Sequence, residues 1–217
     1  MPLRLSLLAA LLVLAGCTQD DPAQAGPDGP SPGTNAEPGV NSSTVAASYA
    51  IARIDPLGES SIAGSVTFTE TEGGLLVEYD LTGLEVGEHG FHVHENGDCG
   101  RGDDGTVGGA AGGHFNPFNA PHGPQDADRE NRHVGDLGNI ASATGGVTGG
   151  VARGQILDPL ISLDGASSIV GRAMMVHAMA DDLSSQPSGD AGDRIGCGII
   201  ELAVPPEGVG VDSTPLD

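Results

Sequence analysis

Tryptophan is absent and aromatic residues make up only 3% of the chain. Positive charge is scarce too: 8 Lys+Arg stand against 30 Asp+Glu, a formal net charge of -22. A surface this acidic repels phosphate backbones and anionic headgroups, which excludes nucleic acid and a charge-driven lipid surface as partners. The same charge keeps a protein in solution. An anionic substrate would need a local positive spot. Helical periodicity is missing after the first residues, and cysteine is limited to Cys17, Cys99 and Cys197. What abounds is glycine, 36 of 217 residues. That mixture predicts many short strands joined by turns, in one domain with extensions.

The first residues form a unit of their own. Arg4 precedes an apolar run, Leu5 to Leu14, too short to span a bilayer and suited to the core of a signal peptide. It ends in Leu14-Ala15-Gly16-Cys17. Small residues before a cysteine resemble the bacterial lipoprotein signal, which implies a lipid on the Cys17 thiol and cleavage that leaves Cys17 at the new N-terminus. Such a lipid anchors a chain without spanning the membrane. Residues 18–44, rich in Pro, Gly, Asp, Asn and Ser, cannot bury enough apolar surface to offset chain entropy and read as a flexible tether. Residues 45–204 read as the folded domain and 205–217 as a loose acidic tail. With Cys17 lipidated, Cys99 and Cys197 remain, and an oxidising compartment permits them to join; two buried thiols are the alternative.

Within the folded region, short runs alternate at turn-like intervals. Ser48–Ile54, Ile62–Thr69, Leu75–Leu81, Gly90–His94, Gly138–Ala143, Val147–Ile156, Ile169–His177 and Gly196–Ala203 are the candidate strands. Gly73-Gly74 joins the second and third as a hairpin. With no crossover helices between them, an all-β antiparallel sandwich or barrel follows. Two glycine-rich segments, Asp98–Pro124 and Ala180–Arg194, lack strand pattern. Loops of that length in a compact domain usually carry function.

Most of the seven histidines lie in or beside those loops. In His92-Val93-His94, alternation puts both imidazoles on one face, about 6–7 Å apart along the backbone. His114, His122 and His133 follow, Asp136 comes three residues after His133, and His177 ends a later strand. Imidazole and carboxylate donors without thiolate suit zinc or copper(II).

Five segments together resemble the copper/zinc superoxide dismutase family. They are His89-Gly90-Phe91-His92-Val93-His94-Glu95, Gly113-His114-Phe115-Asn116-Pro117, His133-Val134-Gly135-Asp136-Leu137-Gly138-Asn139, Gly171-Arg172-Ala173 with Val176-His177-Ala178, and Gly192-Asp193-Arg194-Ile195-Gly196-Cys197-Gly198. They occur in the family's order across nearly all of the folded region. The resemblance implies an eight-stranded Greek-key barrel, immunoglobulin-like, with two functional loops. It implies copper on His92, His94, His114 and His177, and zinc on His114, His122, His133 and Asp136, with His114 shared. Asp181 would link His92 and His122 through their other nitrogens. Arg194 would be the positive spot that meets the anion, and Cys99–Cys197 the disulfide that pins the first loop. His89 is left over as a hydrogen-bonding residue at the strand start.

The implied activity is dismutation of superoxide to dioxygen and hydrogen peroxide, by a redox-cycling copper bridged through a histidine to a structural zinc. The implied location is a bacterial cell membrane, by lipid anchor, facing the periplasm or the exterior; homodimer and monomer both stay open. A copper-binding or copper-delivery lipoprotein on the same scaffold is the alternative, but it would not need both Arg194 and a full copper set. A zinc hydrolase would need an open position on zinc, and this zinc set is closed. Two departures stand out: the Cys99–His114 loop is long for a eukaryotic member, and the His177–Arg194 segment is short and lacks lysine.

Overall fold

The computed structural model describes residues 48–145 and 149–206. The expected leader, the tether and most of the tail lie outside the described residues. Eight strands follow in order: β1 (Tyr49–Pro56), β2 (Ala63–Thr71), β3 (Gly74–Leu84), β4 (Gly87–His94), β5 (Asp136–Thr144), β6 (Gly150–Asp158), β7 (Ala173–His177) and β8 (Arg194–Leu202). They close into an antiparallel barrel in the order β1-β2-β3-β6-β5-β4-β7-β8. The connections β3–β4 and β6–β7 cross between non-adjacent strands, which makes the Greek key.

The period-2 pattern explains the packing. Ala50, Ala52 and Ile54 of β1, Val66 and Phe68 of β2, and Leu75, Val77 and Leu81 of β3 point inward and are buried. Arg53, Glu78 and Arg153 take outward positions. β4 departs from this alternation: His89 to His94 are all buried. Phe91 and Val93 enter the barrel core, while His92 and His94 face outward under the loops at 95–135 and 178–193. A strand buried on both faces within an antiparallel barrel marks where those loops fold back. A second, smaller core of Ala111, Ala173, Met175 and Cys197 lies beneath the first loop. There the Cys99–Cys197 disulfide joins the loop to β8, with the two Cα atoms 5.8 Å apart. By the chain-entropy model, a bridge across so long a loop contributes about 4–5 kcal/mol.

Several boundaries differ from the expectation. β7 starts at Ala173, not Ile169, because Ile169 to Arg172 form a turn. Ile169 is buried there without belonging to a strand, so its apolar character misled. β4 starts earlier, at Gly87, and β6 starts at Gly150; Val147 lies outside the described residues.

Candidate metal centre

β4 and β7 are antiparallel neighbours, with His92 opposite Met175 and Phe91 opposite Val176. This brings His177, at the end of β7, beside His92 and His94. A bulge between Val176 and His177 in the β7–β8 pairing turns His177 toward them. His114 arrives from the 95–135 loop and bridges His94 in antiparallel fashion. Phe115 N–H donates to the Val93 carbonyl at 2.8 Å, and the buried Phe115 ring anchors this segment to the core. Asp136 opens β5 opposite His92. Gly90 is required by close approach: a Cβ there would lie 2.7 Å from the Ala191 Cβ and 3.0 Å from His92 Cε1.

The outcome is two adjoining sets of donors. In His92, His94, His114 and His177, and again in His114, His122, His133 and Asp136, the ligand atoms lie within 4.8 Å of one another. His114 belongs to both sets. Its Nδ1 is 2.7 Å from Asp136 Oδ1, and its Nε2 faces the first set with no hydrogen-bond partner.

Outer contacts fix which nitrogen each ring turns inward. His94 Nδ1–H donates to the Gly112 carbonyl at 3.0 Å and His177 Nδ1–H to the Gly192 carbonyl at 3.2 Å. Their Nε2 atoms then carry lone pairs and sit 3.4 Å apart. Asp181 takes His92 Nε2 at 2.7 Å on one oxygen and His122 Nε2 at 2.9 Å on the other. Gly189, at φ 69, packs against this carboxylate so closely that any Cβ would collide with Asp181 Oδ1. Asn139 clamps the Asp181 main chain, accepting its N–H at 2.7 Å and donating to its carbonyl at 2.8 Å.

Four inward nitrogens, His92 Nδ1, His114 Nε2, His122 Nδ1 and His133 Nδ1, are buried with no hydrogen-bond partner among the described residues. Such groups are costly unless something pairs with them. Lone pairs converging without donors fit two cations, and nitrogen and carboxylate donors without sulfur fit copper(II) and zinc. The electrostatics agree. Burial, reinforced by His92, holds the His114 imidazole down to about 4, and burial with His92 holds His177 down to about 3. Burial also holds His94 well below its ordinary value. These rings therefore stay neutral, as a metal ligand must. Burial opposes charge on His122 as well, but Asp181 on its Nε2 and the Asp136 carboxylate 3.1 Å from its Nδ1 prevail and raise it to about 9, so a metal bound there would have to displace a proton. Burial would raise Asp136, yet the three histidines around it pull it well below the carboxylate range.

A cavity of about 400 Å3 opens onto the first set, lined among others by His94, His114, His177, Pro187, Ser188 and Arg194. Arg194, half-buried, donates Nη1 to the Gly108 carbonyl and Nη2 to the Gly112 carbonyl at 2.6 Å. Gly112 thus holds both Arg194 and His94.

The structure brings His92, His94, His114, His122, His133, Asp136, His177, Asp181 and Arg194 together, and pairs Cys99 with Cys197. Cys17 lies outside the described residues. His89 stands apart from both sets, its ring nitrogens 2.8 Å from the His177 carbonyl and 3.0 Å from the Glu85 carbonyl. Sequence reasoning missed Arg132, which is fully buried. It donates to Asp158 at 2.7 Å and to the Asp136 carbonyl at 2.9 Å, tying the ligand segment to the end of β6. An arginine adjacent to His133 in so cation-poor a chain was the available signal.

The family described as copper/zinc superoxide dismutase matches residues 62–200. The chain is 44% identical over 151 residues to superoxide dismutase A (Cu-Zn) of Xenopus laevis, covering 66% of this chain and 91% of that one. It is 43% identical over 155 residues to a Cu-Zn superoxide dismutase of Candida glabrata, covering 67% and 93%. It is 40% identical over 147 residues to the extracellular superoxide dismutase (Cu-Zn) of Caenorhabditis elegans, covering 65% and 62%. Among solved structures, that of the clock protein EA4 superposes with a TM-score of 0.60 at 40% identity, covering 72% of this chain and 95% of that one.

Proposed function

The chain belongs to the copper/zinc superoxide dismutase family, and on that premise we propose which residues carry each part of the reaction, and where. The enzyme uses copper and zinc to convert superoxide to dioxygen and hydrogen peroxide. Copper is assigned to His92, His94, His114 and His177, and zinc to His114, His122, His133 and Asp136. The observation that carries this reading is His114, which turns Nδ1 to one donor set and Nε2 to the other.

Bound copper supplies the one-electron redox cycle, and bound zinc supplies fixed positive charge. The chain's residues do the rest. Arg194 attracts superoxide into the cavity and orients it beside His94, His114 and His177; it is the arginine on that lining. The carbonyls of Gly108 and Gly112 keep its guanidinium in place. His114 Nε2, unpartnered among the described residues, is an atom of this chain beside the cavity that could hold a proton. Asp181 keeps His92 and His122 in the tautomers that point Nδ1 inward. The disulfide holds the Gly108–Gly112 segment near β8, and so keeps Arg194 at the mouth.

The bacterial lipoprotein form is part of the same proposal. Residues 1–17 are the lipoprotein signal ending at the lipidated Cys17, which cleavage before it leaves as the new N-terminus; residues 18–44 are the tether, residues 45–204 the enzyme domain and residues 205–217 the tail. Leu14-Ala15-Gly16-Cys17 supports lipidation at Cys17, and the Cys99–Cys197 disulfide supports an oxidising compartment, the periplasm or the cell exterior. The test of the metal assignment is spectroscopic. With copper(II) in one set and cobalt(II) in the other, a shared imidazole couples the two ions and suppresses the copper paramagnetic signal. His114→Ala should restore that signal. An undiminished signal in the wild type would contradict the shared ligand.

A further inference from the structure

Gln186 holds both main-chain polar groups of His122. Its Oε1 accepts the His122 N–H at 2.9 Å, and its Nε2 donates to the His122 carbonyl at 2.9 Å. Nε2 donates also to the Ser184 carbonyl at 3.2 Å. His122 is only 3% exposed. Among the described residues, no other protein group pairs with its main-chain N–H or C=O. Buried peptide groups need partners, and where no backbone partner is at hand a side chain can supply them. An amide side chain presents a donor group and an acceptor in one plane, as a neighbouring strand would.

The same 178–193 loop reaches His122 a second time, through Asp181 on Nε2. Ring and backbone of one residue are thus fixed by one segment. That segment is itself closed: Asp182 N–H donates to the Gly189 carbonyl at 2.9 Å and Gly189 N–H to the Ser185 carbonyl at 2.7 Å. Asp182 Oδ1 accepts the Ser184 and Ser185 N–H groups at 2.9 and 2.7 Å. Gln186 is therefore presented from a preformed turn. The next two residues, Pro187 and Ser188, wall the cavity in front of Arg194.

We propose that Gln186 is a positioning residue for the zinc site: by pairing with both main-chain groups of His122 it sets His122 Nδ1 against Asp136, and it couples zinc retention to the conformation of the 178–193 loop. The proposal rests on the assignment of His122 to zinc made above. Because coupling is reciprocal, zinc in turn orders the wall that Pro187 and Ser188 form.

The experiment uses the full chain in three variants. Gln186→Ala removes both contacts. Gln186→Glu keeps the acceptor for the N–H but sets a carboxylate oxygen against the His122 carbonyl, and it carries the test if the alanine variant does not fold. His122→Ala is the control. Zinc affinity is measured by competition with a chelator, and cobalt(II) substituted for zinc reports ligand geometry through its visible bands. Both Gln186 variants should weaken zinc by about tenfold or more, the loss typical for residues that orient a ligand, and should shift the cobalt bands. A residue that merely supports the fold would lower the melting temperature of the metal-free protein and leave both readouts unchanged. Unchanged zinc affinity and cobalt bands, with His122→Ala losing zinc, would overturn the role of Gln186 alone. Zinc retained at wild-type affinity by His122→Ala would overturn the assignment on which it rests.

Discussion

Replacing Asp136 by alanine should open the ligand loop while leaving the barrel closed. One carboxylate does several jobs: Oδ1 lies 2.7, 3.1 and 3.2 Å from ring nitrogens of His114, His122 and His133. Oδ2 accepts the His133 N–H at 2.8 Å and the Gly123 N–H at 3.2 Å. Alanine leaves those two main-chain donors buried without partners, at about 1–3 kcal/mol each. The loop therefore loses about 2–6 kcal/mol before the loss of zinc is counted. A domain's whole stability is about 5–15 kcal/mol, so this is enough to open one loop. The core around Phe68, Phe91 and Ile140 is untouched, and Cys99–Cys197 still ties the loop's start to β8. The chain contains no lysine, so trypsin can cut only after arginine. Arg132 is 1% exposed, held by Asp158 and bonded to the Asp136 carbonyl. Cleavage after a protected residue tracks the open population, so even 2 kcal/mol gives about a 30-fold faster cut there. Zinc content should fall, and part of the copper-dependent activity should survive on His92, His94, His114 and His177. Wild-type protection of Arg132 in Asp136→Ala would refute the loop argument. Full activity in His177→Ala beside none in Asp136→Ala would refute the placement of the chemistry.

Other outcomes follow from the same geometry. Arg194→Ala should slow superoxide consumption and Arg194→Glu should slow it further, by roughly 1 kcal/mol or about fivefold per unit charge, with copper content unchanged; equal rates in all three proteins would place the anion's guide elsewhere. Cys17→Ser should move the enzyme from the membrane fraction to the soluble one at unaltered specific activity, and a folded but inactive soluble form would contradict an independent tether. The metal-free protein should be most stable near pH 6.5. His114 and His177 stay neutral down to about 4 and about 3, whereas an unfolded histidine protonates near 6.5, so stability is lost as pH falls below that value. His122 works in the opposite sense: raised to about 9, it contributes fully below 6.5, and its contribution is lost as pH rises through 9. Thermal melts of metal-free protein at pH 5, 6.5 and 8.5, the values set by that window, check this; a melting temperature rising steadily with pH would contradict it.

The donor residues that the structure gathers were legible in part from spacing, and as two full sets only through the family resemblance. His92 and His94 share a strand face by period alone, and Asp136 follows His133 at the reach of one turn. The strands were legible where one face meets water, as in β2. They were misread at their ends: Ile169 is buried in a turn, and β4 begins at the exposed Gly87 and Glu88, which carry no apolar signal. The holding contacts were not legible. Asn139, Gln186 and Arg132 act on main-chain atoms of residues 42, 64 and 4 positions away. Polar side chains with those roles look the same in sequence as solvated ones, since nothing local records which peptide group they will meet.

The central claim is that copper performs the chemistry and zinc the support, across His114. The direct test is to strip the full chain of metal, restore copper alone, zinc alone or both, and follow superoxide consumption with metal content. The account predicts activity with copper alone, more with both, none with zinc alone, and one equivalent of each metal in the fully loaded chain, matching its two donor sets. Activity with zinc alone, or copper-loaded protein without activity, would contradict it.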